Sequence, residues 1–404
     1  MKLFDYVSRT FLVMAFAMLC SFIATLKLGE ILTMENFGFF NLLKRIFPMG
    51  AAIILLGIDK SYIKYFSKSD KMKTFHYVLP MIFFNSIILT LIIGFIYDFN
   101  GYDLSVFICF VIFSFTLFLT SYARLSDEYA TAQFIQAGHK IIFFLTVLVI
   151  ITYYDLNSIE IINIFLFAFL IPCLYVFKYL YDENSIKIFT PAKEFKKIVS
   201  FGFLFFLVNI LNLTIVNMEG LFIPYFYGQE ANGIYSGLSF IYITVFVMIG
   251  TSIGYVLFPM LSKKEDINFK SLIFYTSLTV FIISFIFIFF GDLINSIAFK
   301  GKFDLYRTFK IDLMIILIGA LQFINGLFHW FILGLGSKKN IIEYLKIIIF
   351  TLITYFLSVV FITTFWTSNF LSIIPIVLIA WVVKVSITLY FILKNDIISN
   401  YLKY

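Results

Sequence analysis

Lys44 and Arg45 stand inside an otherwise apolar run, with Asn41 three and four residues before them. On a helix those offsets place all three on one face. At 1.5 Å per residue the two cations would lie roughly 10 Å inside a span, where a charge costs about 3 kcal/mol or more unless it meets a partner or a wet cavity. Two readings follow. The charged heads reach back to the outer headgroups, or they line a cavity for an anionic substrate, because guanidinium grips phosphate oxygens through two parallel hydrogen bonds. Lys384, deep in the last apolar run, has the same two readings. Asn209, Asn212 and Glu219 form a second stripe at spacings of 3 and 7, with Asn217 to one side. Glu219 reads either as an interfacial carboxylate or as a proton or cation site. Gln322, Asn325 and His329 repeat the pattern at spacings of 3 and 4. That stripe is either helix–helix glue or a site whose histidine titrates near neutrality. Glu343 and Lys346 read as a simple i, i+3 ion pair, and Asp292 and Asp312, near span ends, as solvated.

Other chemistries lack their parts. The chain has no GxxxxGK[ST] phosphate loop, no HExxH and no GxSxG, so P-loop, zinc-hydrolase and nucleophile-elbow catalysis are not indicated. His76, His139 and His329 are scattered, and Cys20, Cys109 and Cys173 sit in apolar runs without paired spacing, which argues against a metal centre or a disulfide framework. The expectation is a non-enzyme with no cofactor beyond H+ or Na+ coupling.

The elements that position these residues follow from composition. Of 404 residues 62% are hydrophobic and 13% charged, against roughly 25% charged in soluble domains, and the mean hydropathy is +1.00. This predicts an all-α polytopic membrane protein. With about 20 apolar residues per span, twelve helices are expected, starting near positions 9, 38, 76, 104, 140, 161, 199, 233, 271, 311, 341 and 371. The first run, Phe11 to Leu26, has no small-residue cleavage site after it and counts as a span. The net charge of +7 does not imply nucleic acid, because most of the basic residues fall in alternate short loops, the pattern that marks the cytoplasmic side. Both termini are therefore expected in the cytoplasm. Lys300, Lys302, Arg307 and Lys310 break the alternation. Either that loop lies against the outer headgroups or a nearby boundary differs.

A shift of 195 residues lays the chain on itself: Glu35, Gly38, Ser67 and Lys68 fall on Glu230, Gly233, Ser262 and Lys263, and Phe40 falls on Tyr235. Six spans per half is an even number, so the halves share one orientation, as parallel repeats in transporters do. The natural break is the polar loop Asp182 to Lys197 with Pro191, which divides the chain into six-helix bundles at 1–190 and 191–404.

Two stretches carry a family resemblance. LGEILTMENFGFFNLLKRIFPMGAAIILLGIDKSYIKYFSK, Leu28 to Lys68, contains the Gly-apolar-acid turn Gly57 to Asp59. NMEGLFIPYFYGQEANGIYSGLSFIYITVFVMIGTSIGYVLFPMLSK, Asn217 to Lys263, contains Glu219, Gly233, Tyr235, Ser236, Phe258, Pro259, Leu261 and Ser262. Together they resemble Wzx-type lipid-linked oligosaccharide flippases of the multidrug/oligosaccharidyl-lipid/polysaccharide exporter superfamily, although Glu219 stands where an aspartate is common. The resemblance implies transfer of an undecaprenyl-pyrophosphate-linked O-antigen or capsule repeat unit from the inner to the outer leaflet of a bacterial cytoplasmic (inner) membrane, on the route to lipopolysaccharide or capsule. A polysaccharide polymerase and a chain-length regulator are the implied protein partners. On that reading Asn41, Lys44, Arg45 and Lys384 line the substrate cavity, and Glu219, His329, Asn212 and Asn325 are candidates for ion coupling.

Two alternatives stay open. A multidrug exporter of the same superfamily would share the fold, but cationic drugs favour an acidic lining. A membrane-embedded glycan polymerase or glycosyltransferase would use carboxylates such as Glu30 and Glu35, yet the outer loops, for example Asp98 to Asp103 and Asp155 to Glu160, are short for a sugar site.

Overall fold

Apolar runs with so few charges leave the backbone one way to satisfy its polar groups in lipid, which is the helix. The computed structural model bears this out and describes residues 2–59, 75–97, 101, 103–125, 129–151, 158–182, 192–262, 269–365, 369–395 and 397. Among them are helices α1 (Lys2–Ile31), α2 (Met34–Leu55), α3 (Phe75–Tyr97), α4 (Asp103–Leu125), α5 (Tyr129–Ile151), α6 (Ser158–Asp182), α7 (Ala192–Ser262), α8 (Phe269–Phe299), α9 (Phe309–Leu335), α10 (Lys338–Phe365) and α11 (Ile373–Lys394). Short 3-10 turns at Asp304–Tyr306 and Phe370–Ser372 precede α9 and α11. The basic segment 60–74, the loop 183–191, and Ser67, Lys68 and Lys263 of the repeat lie outside the described residues.

The seventh and eighth expected spans are two helical stretches that meet directly at a kink. No loop separates them; instead α7 bends at Gly228, whose φ of 85 and ψ of 172 belong to a region essentially restricted to glycine. Within α7 the apolar stretch Gly202–Thr251 runs for 50 residues, roughly 75 Å of helix against a hydrocarbon core of about 30 Å. Two crossings fit it and one does not.

The described residues form two compact units, Met1–Tyr225 and Phe226–Tyr404. Residues 192–225 of α7 thus pack with the first unit, where Tyr97 Oη donates to the Leu221 carbonyl at 2.9 Å and Gly57, at φ +73, fits against the Gly202 carbonyl so tightly that a β-carbon would collide with it.

Inside the first unit α2, α4, α5 and α6 share an aromatic core. Phe40 stacks on Phe143 at 5.9 Å and on Phe165 at 5.6 Å, and Phe47 meets Phe110 edge-on at 5.4 Å. Gly50 lets α2 close on Phe110 and Leu89, the small-residue contact that membrane helices use for approach. In the second unit α9 packs on α11 and α8 and closely on the end of α7, with Gly319 against Phe246, Gly254 against Trp330 and Gly334 against Leu261. α8 turns large apolar side chains outward, including Phe274, Phe281, Phe289 and Ile297. A helix apolar all round with little of it buried belongs against lipid.

Candidate functional site

In the first unit the Thr33 hydroxyl caps α2 by accepting from the Asn36 backbone N–H at 3.2 Å, which sets the register that turns Phe37, Phe40, Asn41 and Phe47 into the core. Lys44 follows on that face. Its Nζ donates to the Thr25 hydroxyl of α1 at 2.8 Å and lies 5.8 Å from the centre of the Phe40 ring. Asn41 spends its amide nitrogen on the Phe37 carbonyl of its own helix, at 2.8 Å. Two like charges bear on Lys44: Arg45 beside it and Lys140 from α5. His139, the neighbour of Lys140, packs its ring 4.7 Å from Phe169, and its buried Nδ1 has no hydrogen-bond partner.

Arg45 points toward α7. Its guanidinium lies directly over Gly220, where a β-carbon would coincide with it, and Nη1 is buried without a hydrogen-bond partner. The residue before Gly220 is Glu219, 2% exposed. The fold therefore puts Lys140 near enough to act on Lys44, with Arg45 beside Lys44 and Gly220, the residue after Glu219, against Arg45. Leaving one buried polar atom unsatisfied costs about 1–3 kcal/mol, and like charges held near one another add to that. An anion would relieve both. Asn212 lies half-buried two turns before Glu219, and Asn217 is occupied by the Leu213 carbonyl at 2.9 Å.

The second unit holds the other predicted residues. Gln322, Asn325 and His329 are all buried on α9, as a common face requires. His329 Nδ1 is 3.3 Å from the Tyr344 hydroxyl of α10, and both amide atoms of Gln322 lack a hydrogen-bond partner. Lys384 of α11 is 0% exposed, with Nζ 4.8 Å from the centre of the Trp381 ring. One turn on, the buried Thr388 hydroxyl also lacks a partner. Lys384 is thus an interior lysine whose head does not reach solvent.

Sequence reasoning passed over two features. Lys140 reads as a loop flank, but α5 begins at Tyr129 and carries it into the helix. Asp312 is not solvated: it is buried and accepts from Arg307 Nη2 at 2.8 Å. The same nitrogen is 2.8 Å from Asp292 Oδ1 and 2.7 Å from the Tyr242 hydroxyl. Asp292 itself is largely exposed. Burial opposes the Arg307 charge, but Asp312, Tyr242 and Asp292 together outweigh it and hold its pKa above the ordinary value. Spacing gives no sign of this group because it is gathered across a loop. Glu30, weighed as a catalytic carboxylate, pairs with Lys27 at 3.1 Å. Among the described residues no three His, Cys, Asp or Glu come together as a metal site.

The family described as "polysaccharide biosynthesis protein" matches residues 5–265. The chain belongs to that family. Its fold is shared by solved transporters of the MOP superfamily. A multidrug resistance MATE family transporter in an inward-facing conformation superposes with a TM-score of 0.66 at 13% identity, covering 96% of each chain. Lipid II flippase MurJ, in an inward closed conformation, gives 0.64 at 14% identity, over 98% of this chain and 88% of its own. A MOP superfamily transporter from Pyrococcus furiosus, described as having a binding pocket of reverse polarity, gives 0.61 at 13% identity over 99% and 96%. No curated protein sequence matches the chain. This member of the polysaccharide biosynthesis family is accordingly an all-α, multi-pass membrane protein with the MOP architecture.

Proposed function

We propose that the protein is a flippase that carries an undecaprenyl-pyrophosphate-linked oligosaccharide, an O-antigen or capsule repeat unit, from the inner to the outer leaflet of the bacterial cytoplasmic membrane by alternating access, using an H+ or Na+ gradient. The observation that carries this reading is the buried, unsatisfied Nη1 of Arg45, with Lys44 beside it and Lys140 acting on Lys44. A pyrophosphate supplies the negative charge and the acceptor oxygens such a group needs. A cationic drug supplies neither, which weighs against multidrug export. Family membership supports a role in polysaccharide assembly, and the shared fold with a lipid II flippase supports a lipid-linked cargo. In this proposal both termini face the cytoplasm, and a polymerase and chain-length regulator take up the product.

The test is the leaflet distribution of lipid-linked glycans in cells lacking the protein, read with a probe confined to the outer face. Complete repeat units should accumulate on the inner leaflet. Cells carrying Lys44→Gln together with Arg45→Gln should show the same accumulation at unchanged protein abundance. Full flipping in that variant overturns the assignment of the site, and unpolymerised units arriving outside in the deletion point instead to a polymerase.

A further inference from the structure

The connection between α8 and α9 is built rigidly and presents an outer surface that water does not suit. α8 is 31 residues long, about 46 Å at 1.5 Å per residue, so its ends reach the headgroup layers of a membrane whose hydrocarbon core is about 30 Å thick. The helix closes with Lys300 and Gly301 in left-handed conformation, φ 51 and 75. Gly301 N–H donates to the Ser296 carbonyl at 2.9 Å and Lys302 N–H to the Phe299 carbonyl at 3.1 Å. The 3-10 turn follows, pinned from beneath at two points. Phe303 is 2% exposed and packs on Gly237 where no β-carbon would fit, while Arg307 is consumed by Asp312, Asp292 and Tyr242.

These pins leave Leu305 at the tip of the turn, 94% exposed, beside Phe309 at 66%. Exposed apolar residues thus continue along the chain past Ile297, the last of them on α8. Exposed lysines flank the tip, Lys300 before it and Lys310 after it. They belong to the same four cations that break the alternation of charge along the sequence. A preordered apolar prong flanked by lysines at the end of a span is the chemistry of an anionic bilayer surface: the prong enters the acyl boundary and the ammonium groups meet lipid phosphates.

We propose that residues 300–310 form an interfacial anchor that binds anionic phospholipid headgroups, with Leu305 and Phe309 inserted and Lys300 and Lys310 holding the phosphates. The proposal rests only on the chain spanning a membrane and is independent of the transported cargo.

The experiment places a fluorescent label on Leu305→Cys in the full-length protein, reconstituted in vesicles of phosphatidylcholine alone or with phosphatidylglycerol. The buried native cysteines serve as the labelling control. A bromolipid quencher should reach the label and aqueous iodide should not, and phosphatidylglycerol should raise bromolipid quenching at least about twofold. Lys300→Gln with Lys310→Gln, which leaves both pins intact, should abolish the phosphatidylglycerol dependence while the protein elutes as before. A label open to iodide in both vesicle types overturns the proposal. So does a phosphatidylglycerol effect that survives loss of both lysines. Inorganic pyrophosphate added to phosphatidylcholine vesicles should change nothing; an effect equal to that of phosphatidylglycerol would assign the cations to free or cargo phosphate and overturn the lipid reading.

Discussion

Arg45 and Gly220 define each other: the guanidinium occupies the volume that any side chain on Gly220 would need. Gly220→Ala must therefore displace Arg45 or part α2 from α7, and overpacking of this kind costs about 1–3 kcal/mol. The expected result is a lowered Tm of the purified protein and loss of glycan flipping comparable to Arg45→Gln. In an Arg45→Ala background the same glycine change should cost little, and the double-mutant cycle measures the difference. Equal costs in both backgrounds would show that the glycine serves another purpose. The cations at 44 and 45 were legible in the sequence because a charge inside an apolar run stands out against its neighbours. Lys140 was not, because its relation to Lys44 joins α5 to α2, and Asp312 was not, because its partner reaches it from across a turn.

At the scale of elements the instructive case is α7. The 195-residue shift read from the sequence carries Thr33, the cap between α1 and α2, onto Gly228, where α7 bends. Under that shift a capped break falls on a glycine kink. With φ 85 and ψ 172, Gly228→Ala should cost about 1–3 kcal/mol. Gly228→Asn should not rescue it, because asparagine relieves strain near the left-handed helical region and a ψ of 172 lies outside that region. Gly326→Ala is the control: Gly326 lies within α9 with nothing near its missing β-carbon, so thermal unfolding should show no loss there. If Gly228→Ala unfolds at the wild-type temperature, the bend is not fixed by this residue.

For the whole molecule the open question is energy input. The proposed coupling groups are Glu219 and Asn212 in the first unit and His329 and Asn325 in the second, all on polar faces of otherwise apolar helices. If flipping draws on an ion gradient, transfer in proteoliposomes should fall several-fold when an ionophore collapses the H+ or Na+ gradient, and Glu219→Gln or His329→Gln should remove that sensitivity. Transfer at the full rate without any gradient would remove these residues from an energetic role.

Composition and periodicity alone determined that this protein is a helical bundle in a membrane, because in lipid a long apolar run has no other way to pair its backbone. They also determined that its few polar side chains lie on stripes, because a stripe follows from spacing within one helix. What only the tertiary structure decided is which stripes meet. Lys44 finds Thr25 and feels Lys140, Arg45 finds Gly220, Asp312 finds Arg307, and two expected spans meet at a kink at Gly228. Each depends on residues far apart in the chain or on one backbone torsion. Local periodicity carries no information about contacts between helices, so these required the packed helices themselves.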